Sequence, residues 1–262
     1  MSLVMPLHRA VEFDYPFREV CRSVAGLCDE VVLVVSPYPD GTMDACRDLD
    51  VPGLKIIECD WWGRGNGCEC LADATNVAIA ASSGRYVLNL QADEVLHEAE
   101  VERVRELANG KHLWAEFGRL NMFGDFSTYN ANVERWPCSV VRLMRRDLFP
   151  RVRSYGDATH LGWMENFDVR RHLRVDARET VRLFHYAYVR TGRAFVDRQA
   201  SMAKMYGMDP DGRIEAARAT ERIDWNAIVP RSEFEPLPRP HPAVMKEWVA
   251  ARQGKVEAGA WE

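Results

Sequence analysis

The segment VVLVVS, at residues 31–36, is an uninterrupted run of apolar and mostly β-branched residues. Such a run predicts a strand that is buried on both faces, as in parallel sheets covered by helices on two sides. Further strands are predicted at residues 3–7, 54–59 and 85–90. Helical segments are predicted at residues 17–28, 70–82 and 98–109, and a short helix within 37–49 with Asp40 or Thr42 as its N-cap. This alternation predicts an α/β fold with a doubly wound, mostly parallel sheet.

The second half of the chain is less regular. Strands are predicted at residues 113–120, 139–146 and 181–190, and a helix at 194–206. After about Trp225 the chain becomes rich in proline and then ends in a short helix. We expect a main domain over residues 1–225 and a C-terminal segment over 226–262. Because Phe234 and Leu237 need burial, that segment is expected to wrap against the domain.

Composition excludes few classes of protein. The 262 residues carry a net charge of −5, with a pI near 5.9, so no general attraction to nucleic acid or anionic membranes is expected. No stretch approaches the roughly 18 apolar residues of a membrane span, and the first residues lack the apolar core of a secretory signal. The 7 scattered cysteines suggest no disulfide framework. We therefore expect a cytoplasmic protein with reduced thiols.

Polar residues follow the fourth predicted strand, in the sequence Gln91-Ala92-Asp93-Glu94. Polar groups at the carboxyl end of a strand in an open α/β sheet lie at the ligand-binding edge. An Asp-x-Asp pair at that point would indicate a divalent metal holding a diphosphate, but here Gln91 stands in the first position. The alternative is that these side chains only cap the helix that follows.

Four stretches, taken in order, resemble family 2 glycosyltransferases of the GT-A type between about Arg9 and Trp248. They are YPFREVCRSVAGLCDEVVLVVSPYPDGT, TNVAIAASSGRYVLNLQADEVLHE, RWPCSVVRLMRRDLFPRVRSYGDA, and FHYAYVR followed by Lys204. Q-A-D-E is similar to a subgroup variant of the D-x-D motif. The resemblance implies a GT-A (nucleotide-diphospho-sugar transferase) fold. It also implies a donor half over about 1–110 and an acceptor-side subregion over about 111–225.

The resemblance implies a metal site that binds Mn²⁺ or Mg²⁺ together with a nucleotide-sugar diphosphate. Asp93 occupies the position of the direct metal ligand, and His185 is the candidate for a second ligand. Imidazole suits Mn²⁺ better than Mg²⁺. Gln91 can still hydrogen-bond a ribose hydroxyl, because its amide both donates and accepts. The alternative for His185 is a hydrogen-bonded core histidine.

The other donor-site candidates are cofactor-binding residues at the ligand edge and cations that follow His185. Arg9, Asp40 and Asn76 are expected at strand ends near the nucleotide. Arg190 and Lys204 are candidates to neutralise the diphosphate, with solvated surface charge as the alternative for Lys204. Many family members carry an Asp at the end of the second strand, where this chain has Ser36-Pro37. UDP- and GDP-linked donors therefore both remain open.

An inverting enzyme of this family needs a carboxylate to take the proton from the acceptor hydroxyl. By family position the candidate is Asp157 in SYGDAT, with Glu165 and Asp168 in GWMENFD as competitors. The alternative for Asp157 is a turn cap after Gly156.

These features together favour a metal-dependent, inverting hexosyl- or pentosyltransferase that uses a nucleotide-sugar donor. The acceptor would be a hydroxyl of a glycan, a small molecule or modified DNA. A sugar-phosphate nucleotidyltransferase is the second interpretation, although HRAVEFDYPF offers no early Gly-rich loop. The third is a sugar-nucleotide or glycan-binding protein that has lost catalysis through Gln91.

Overall fold

The computed structural model describes residues 1–64, 69–132, 138–155, 160–163, 174–206, 212–228, 231–260 and 262. Its strands are β1 (Ser2–Leu7), β2 (Glu30–Val35), β3 (Leu54–Glu58), β4 (Tyr86–Asn89), β5 (Glu94–Val95), β6 (Trp114–Phe123), β7 (Thr128–Asn130), β8 (Ser139–Arg145), β9 (Val152–Tyr155), β10 (His160–Trp163), β11 (Arg174–Asp176), β12 (Arg182–Tyr188) and β13 (Phe234–Pro236). Its α-helices are α1 (Phe17–Ser23), α2 (Thr42–Arg47), α3 (Glu69–Ala81), α4 (Val101–Asn109), α5 (Gly192–Met205), α6 (Gly212–Thr220), α7 (Trp225–Ile228), α8 (Lys246–Ala250) and α9 (Gln253–Glu257).

The first half of the chain forms the parallel part of the main sheet. Strands β3, β2, β1 and β4 lie side by side in that order, and each neighbouring pair is parallel. Every residue of β2 is buried, as its uninterrupted apolar run predicts. The strand order reverses direction between β1 and β4, which leaves a crevice at their carboxyl ends.

Helices cover both faces of this sheet. Alternate residues of a strand point to opposite faces. Leu3 and Met5 of β1 therefore pack in one core with α1, α2 and α4, while Val4 packs in a second core with Ala78 of α3. The predicted α/β, doubly wound fold is confirmed by these two cores.

The second half extends the sheet with strands of mixed direction. Strand β8 lies between β4 and β6 and is antiparallel to both, whereas β12 runs parallel to β6. The two-residue strand β5, which the sequence pattern did not predict, pairs antiparallel with β12. The parallel character is thus concentrated in the first half, and β12 returns the chain to the edge where β4 ends.

The C-terminal segment packs on the same core as the first half. Strand β13 pairs antiparallel with β7. Met245, Trp248, Val249 and Val256 are buried in the core that contains Leu3. Among the helices of the described ranges, none is long and apolar enough to cross a membrane.

Two predicted helices have different bounds in the structure. The helix expected over 17–28 ends at Ser23, because the chain turns through Val24 and Gly26, and glycine disfavours helix. The helix expected at 98–109 begins with a 3-10 turn, Glu98–Glu100, before α4. Helix α6 has no counterpart in the sequence prediction.

Candidate functional site

A cavity of about 1030 Å³ lies at the carboxyl ends of β1 and β4. Leu7, the last residue of β1, lines one side of the cavity. Asn89 and Gln91 line it where β4 ends. Open α/β sheets bind ligands at this edge, next to the point where the strand order reverses. Strand β6, strand β12 and helix α5 add the polar wall residues Arg119, Asn121, His185, Arg198 and Gln199.

The carboxylate of Asp93 lies in this wall and is almost fully buried, with the residue 2% exposed. Its Oδ2 accepts a hydrogen bond from Nη2 of Arg190 at 2.9 Å, and its Oδ1 lies 3.5 Å from Nε2 of His185. Burial opposes ionisation, but the positive charges of Arg190 and Arg198 hold the pKa of Asp93 well below its ordinary value. Asp93 is therefore a carboxylate over the whole physiological pH range.

The hydrogen bonds of His185 define its tautomer. Its Nε2 lies 2.8 Å from Nη2 of Arg119, which can only donate, so Nε2 must accept. Its Nδ1 lies 2.7 Å from Oδ1 of Asn121 and therefore carries the proton. Burial and the Arg119 charge lower the pKa of His185, in agreement with a neutral ring. The Nε2 lone pair thus faces the side of the ring on which Asp93 lies.

Strand pairing brings these groups together although they are far apart in sequence. In the register of β12, His185 is opposite Asn121 of β6 on one side and Glu94 of β5 on the other. The backbone N–H of Tyr186 also donates to the carbonyl of Asp93 at 2.8 Å. The turn after β4 is therefore fixed against the strand that carries the histidine.

Gln91 and Glu94 have different environments in this turn. Oε1 of Gln91 accepts from Nη2 of Arg119 at 3.1 Å, which leaves its amide NH₂ on the cavity side. Glu94 has no exposed surface and forms two hydrogen bonds of 2.8 Å with Arg142, with Arg119 at 3.1 Å. The 3-10 turn that follows, Glu98–Glu100, is capped by His97, whose Nδ1 accepts a hydrogen bond from the N–H of Ala99. The helix-capping alternative for Gln91, Asp93 and Glu94 is therefore wrong.

The two predicted diphosphate cations lie in different places. Arg190 has no exposed side-chain surface, and its Nη1 donates to the carbonyl of Phe13 at 2.7 Å. The ring of Tyr15 covers its guanidinium at 4.3 Å, and Arg190 is not part of the cavity wall. Lys204 lines a second cavity of about 720 Å³ at the ends of β1 and β2.

The three predicted nucleotide-binding residues do not share one location. Arg9 lies between the rings of Phe13 and Tyr38, at 4.6 and 4.5 Å, and lines the second cavity. Asp40 accepts from the N–H of Thr42 at 3.1 Å, and so caps α2.

Asn76 lies in the middle of α3 (Glu69–Ala81), not at a strand end. Its amide exchanges two hydrogen bonds with the backbone of Ser154, at 2.9 and 2.8 Å. It holds β9 against α3, and the expectation that it lies at a strand end is wrong.

The three candidate bases, Asp157, Glu165 and Asp168, lie outside the described residues. Their assignment stays a prediction.

The geometry of Asp93 and His185 fits part of a divalent metal site. Two ligands of one octahedral Mg²⁺ or Mn²⁺ lie about 3 Å apart. Asp93 Oδ1 and His185 Nε2 are 3.5 Å apart, and Asn121 fixes the histidine tautomer in the way that supporting residues do at metal sites. Among the described residues no cluster of three or more His, Cys, Asp or Glu side chains is suited to hold a metal. Phosphate oxygens or water would have to supply the remaining ligands of such a site. The hydrogen bond from Arg119 to Nε2 of His185 would also have to break.

Sequence patterns missed several polar residues of the cavity wall, among them Arg119, Asn121 and Arg198. Arg119 and Asn121 lie in LWAEFGRLNMF, where every residue of β6 is buried. An arginine and an asparagine inside a fully buried strand need partners, and this was the available signal. No comparable signal marks Arg198, which shares α5 with the exposed Arg193.

Comparisons with known proteins describe what the chain is similar to. The sequence matches no protein-family model, and it matches no curated protein. Among solved structures, residues 1–349 of S. aureus TarS are similar with a TM-score of 0.45 and 12% identity, over 80% of this chain and 66% of that one. A longer TarS structure is similar with a TM-score of 0.45 and 12% identity. The match covers 84% of this chain but only 42% of that one.

A second similar structure is glucosyl-3-phosphoglycerate synthase from Mycobacterium tuberculosis, in complex with Mn²⁺, UDP and phosphoglyceric acid. Its TM-score is 0.47 at 17% identity, over 81% of this chain and 80% of that one. At this level the similarity concerns the chain trace, and the chemistry of the site rests on its own residues.

Proposed function

We propose that the chain is a GT-A glycosyltransferase that moves a sugar from a nucleoside diphosphate to an acceptor hydroxyl. One observation carries the proposal. Asp93, in the turn after β4, and His185, on β12, meet with Oδ1 and Nε2 3.5 Å apart at the wall of a large cavity on the ligand edge of the sheet. Asp93 is also the residue that stands in the metal-ligand position of the Q-A-D-E stretch.

The leaving group of this reaction is a diphosphate, on which negative charge develops as the bond to the sugar breaks. Fixed positive charge near those oxygens lowers the barrier. Four arginines lie near the carboxylates of Asp93 and Glu94, namely Arg119 and Arg198, which line the cavity, and Arg142 and Arg190, which do not. Because Glu94 and Asp93 balance only half of this charge, the site suits an anion.

Asp93 and His185 are the residues that would hold Mn²⁺ or Mg²⁺. A bound ion of this kind stabilises negative charge on phosphate oxygens as a Lewis acid. Asn121 keeps the proton on Nδ1 of His185, so that Nε2 stays a lone-pair donor. Arg190 holds the other oxygen of Asp93 from the buried side and fixes the direction of the carboxylate.

On the acceptor side, a carboxylate takes the hydroxyl proton as the oxygen attacks the anomeric carbon. Asp157 is the proposed base, with Glu165 and Asp168 as the competitors. Such an arrangement makes the enzyme inverting. The acceptor is proposed only as a hydroxyl compound, and UDP and GDP donors are both candidates.

Turnover of a panel of UDP- and GDP-linked sugars, with Mn²⁺ and a mixture of hydroxyl acceptors, tests the proposal. Release of nucleoside diphosphate is expected with at least one donor, and the Asp93→Asn variant should abolish it. Release of pyrophosphate from a sugar phosphate and a nucleoside triphosphate would instead identify a nucleotidyltransferase. Binding of a nucleotide sugar without any turnover or hydrolysis would identify a non-catalytic binding protein.

A further inference from the structure

Resting on the proposed function, we infer that Arg198, positioned by Tyr15, is the side chain that binds the diphosphate in the cavity. Arg190, which follows His185 closely in sequence, is the more obvious candidate. It lacks exposed surface and has no place in the cavity wall, whereas Arg198 and Tyr15 both line the wall.

The hydrogen bonds of the two arginines also favour Arg198 as the ligand of an anion. Both terminal nitrogens of Arg190 are used, Nη1 by the carbonyl of Phe13 and Nη2 by Asp93. In the described part of the chain, Arg198 donates from Nε to Oη of Tyr15 at 2.8 Å, and Nη1 has one long contact of 3.5 Å with Gln199. The guanidinium edge of Arg198 is therefore available to an anion.

Tyr15 contacts both arginines, but through different parts of its side chain. Its ring lies 4.3 Å from the guanidinium carbon of Arg190, and its hydroxyl accepts from Arg198. The ring of Tyr188, on β12, lies 5.8 Å from the guanidinium carbon of Arg198. An arginine held at Nε by a hydroxyl presents its remaining N–H groups as a fixed fork, which matches the geometry of phosphate oxygens.

Charge in the wall supports the same ligand. Asp93 is balanced by Arg190, and Glu94 by Arg142 and Arg119, through direct ion pairs. Arg198 forms no ion pair with a carboxylate in the described part of the chain. A diphosphate that reaches Asp93 therefore meets Arg198, a cation of the cavity wall with no carboxylate partner among the described residues.

The test measures the affinity of wild type, Arg198→Gln, Arg198→Lys and Tyr15→Phe for UDP, GDP, uridine, guanosine and inorganic pyrophosphate by calorimetry. Arg198→Gln should lose about 10- to 100-fold in affinity for the diphosphates, as expected for one charge-assisted hydrogen bond. Its affinity for the nucleosides should be unchanged, because they lack the anion. Tyr15→Phe and Arg198→Lys keep the charge but lose the anchor, and should show smaller losses confined to the diphosphates.

Arg193→Gln is the matched control, because Arg193 lies on the same helix with its side chain 61% exposed. It should bind all five compounds like wild type, and melting temperatures should show that each variant is folded. If Arg198→Gln does not fold, the comparison of Arg198→Lys and Tyr15→Phe with the control decides the question.

Equal diphosphate affinity in wild type and the folded Arg198 variants would overturn the assignment while leaving the proposed function intact. An equal loss for nucleosides and diphosphates would show that Arg198 acts only on the structure. Wild type that binds pyrophosphate through Arg198 but neither nucleotide would refute the proposed function and keep the anion site. Wild type that binds none of the five compounds would refute both.

Discussion

At the scale of single residues, the Asp93 carboxylate has two partners with different consequences. Arg190 is a permanent cation without exposed surface, and Asp93 is its carboxylate partner. His185 is neutral; its Nε2 accepts a hydrogen bond from Arg119, and its Nδ1 donates one to Asn121. Removing the charge of Asp93 therefore leaves a buried arginine uncompensated, which typically costs about 3–5 kcal/mol of stability. A change at His185 avoids this cost.

We expect Asp93→Asn and His185→Gln to remove the metal dependence of nucleoside diphosphate binding. In wild type, Mn²⁺ should raise the affinity for UDP or GDP above that measured in EDTA, because a metal held by Asp93 and His185 would stabilise the negative charge of the phosphates. In both variants the two conditions should give the same affinity. Calorimetric titration measures this, and thermal unfolding should show the larger destabilisation for Asp93→Asn.

Gln91→Asp serves as the comparison variant at the same strand end. It places a carboxylate next to Arg119, which now donates to Gln91 at 3.1 Å. Metal-dependent binding should be kept or strengthened. Equal affinity of wild type in Mn²⁺ and in EDTA would contradict the metal assignment of Asp93 and His185.

For the acceptor side, we expect Asp157→Asn to lower transfer by about 10²- to 10⁴-fold, the usual contribution of a positioned base. Asparagine has nearly the same shape but cannot take a proton. Donor affinity should change little, because Asp93 and the arginines of the wall are unaltered. Steady-state kinetics with the identified donor separate the two quantities.

Glu165→Gln and Asp168→Asn are the controls for this assignment. Near-normal turnover in Asp157→Asn, with a large loss in one of the controls, would transfer the role of base to that residue. The donor-site assignments would be unaffected by that result.

At the scale of secondary structure elements, the site depends on the pairing of β12 with β6 and β5. His185 meets Asn121 and approaches Asp93 only in the observed register. A shift by one residue would turn every side chain of β12 to the opposite face. The buried apolar neighbours on both sides of His185, Phe184 and Tyr186, make such a shift costly.

The amino-terminal ends of the parallel strands are joined by one carboxylate, Glu30. It begins β2 and is 6% exposed. It accepts from Ser2 of β1, from Lys55 of β3 at 2.7 Å, and from the N–H of Gly84 before β4 at 3.0 Å. Although burial raises the pKa of Glu30, the hydrogen bonds from Lys55, Ser2 and Ser83 lower it from 4.5 to about 2.

Glu30→Gln should therefore destabilise the protein by about 3 kcal/mol at pH 7. Because the folded pKa is the lower one, the contribution of Glu30 is complete above pH 4.5 and is lost as the pH falls toward 2. The difference between variant and wild type should shrink over this window. Urea unfolding at pH 7, 5 and 3 measures it.

Glu102→Gln is the control for Glu30→Gln, since Glu102 forms an ion pair on α4 with its side chain 77% exposed. Its stability should match wild type at each pH. A constant difference for Glu30→Gln at all three pH values would contradict the electrostatic origin of the effect.

At the scale of the whole molecule, the C-terminal segment completes the core beneath the site. Trp248 of α8 contacts the rings of Tyr186 and Phe126, with centroids 5.6 and 6.0 Å apart. His241 links the same two residues, through its Nδ1 to the hydroxyl of Tyr186 and its Nε2 to the carbonyl of Phe126. Tyr186 follows His185, so this packing supports the strand that carries the metal candidate.

Trp248→Ala should lower the free energy of unfolding by about 3–5 kcal/mol, as for other large buried aromatic residues. Unfolding in urea, followed by circular dichroism and by fluorescence, should remain one transition, because the segment and the sheet share a core. Lys246→Ala, on the exposed side of the same helix, should change the stability by less than about 0.5 kcal/mol. A loss in Trp248→Ala no larger than in this control would mean that the segment contributes little to the fold.

The sequence by itself determined the parallel half of the sheet, and it predicted the strand end that borders the candidate site. The β-branched run of β2 and the helical spacing of α3 are local patterns, and local burial requirements decide them. Asp93 could be located because it directly follows a buried strand, and the ends of parallel strands form the ligand edge. The assignment of Asp157 as the base rests on the family resemblance and stays a prediction.

Only the tertiary structure decided which charged groups meet. Arg190 and Arg198 are eight positions apart in similar sequence surroundings, yet one is buried against Asp93 and the other lines the cavity. Asn76 was expected near the nucleotide, but its amide is used by the backbone of Ser154. These outcomes depend on contacts between residues distant in the chain. Their free energies arise from burial and pairing in the folded state, which no local pattern of residues records.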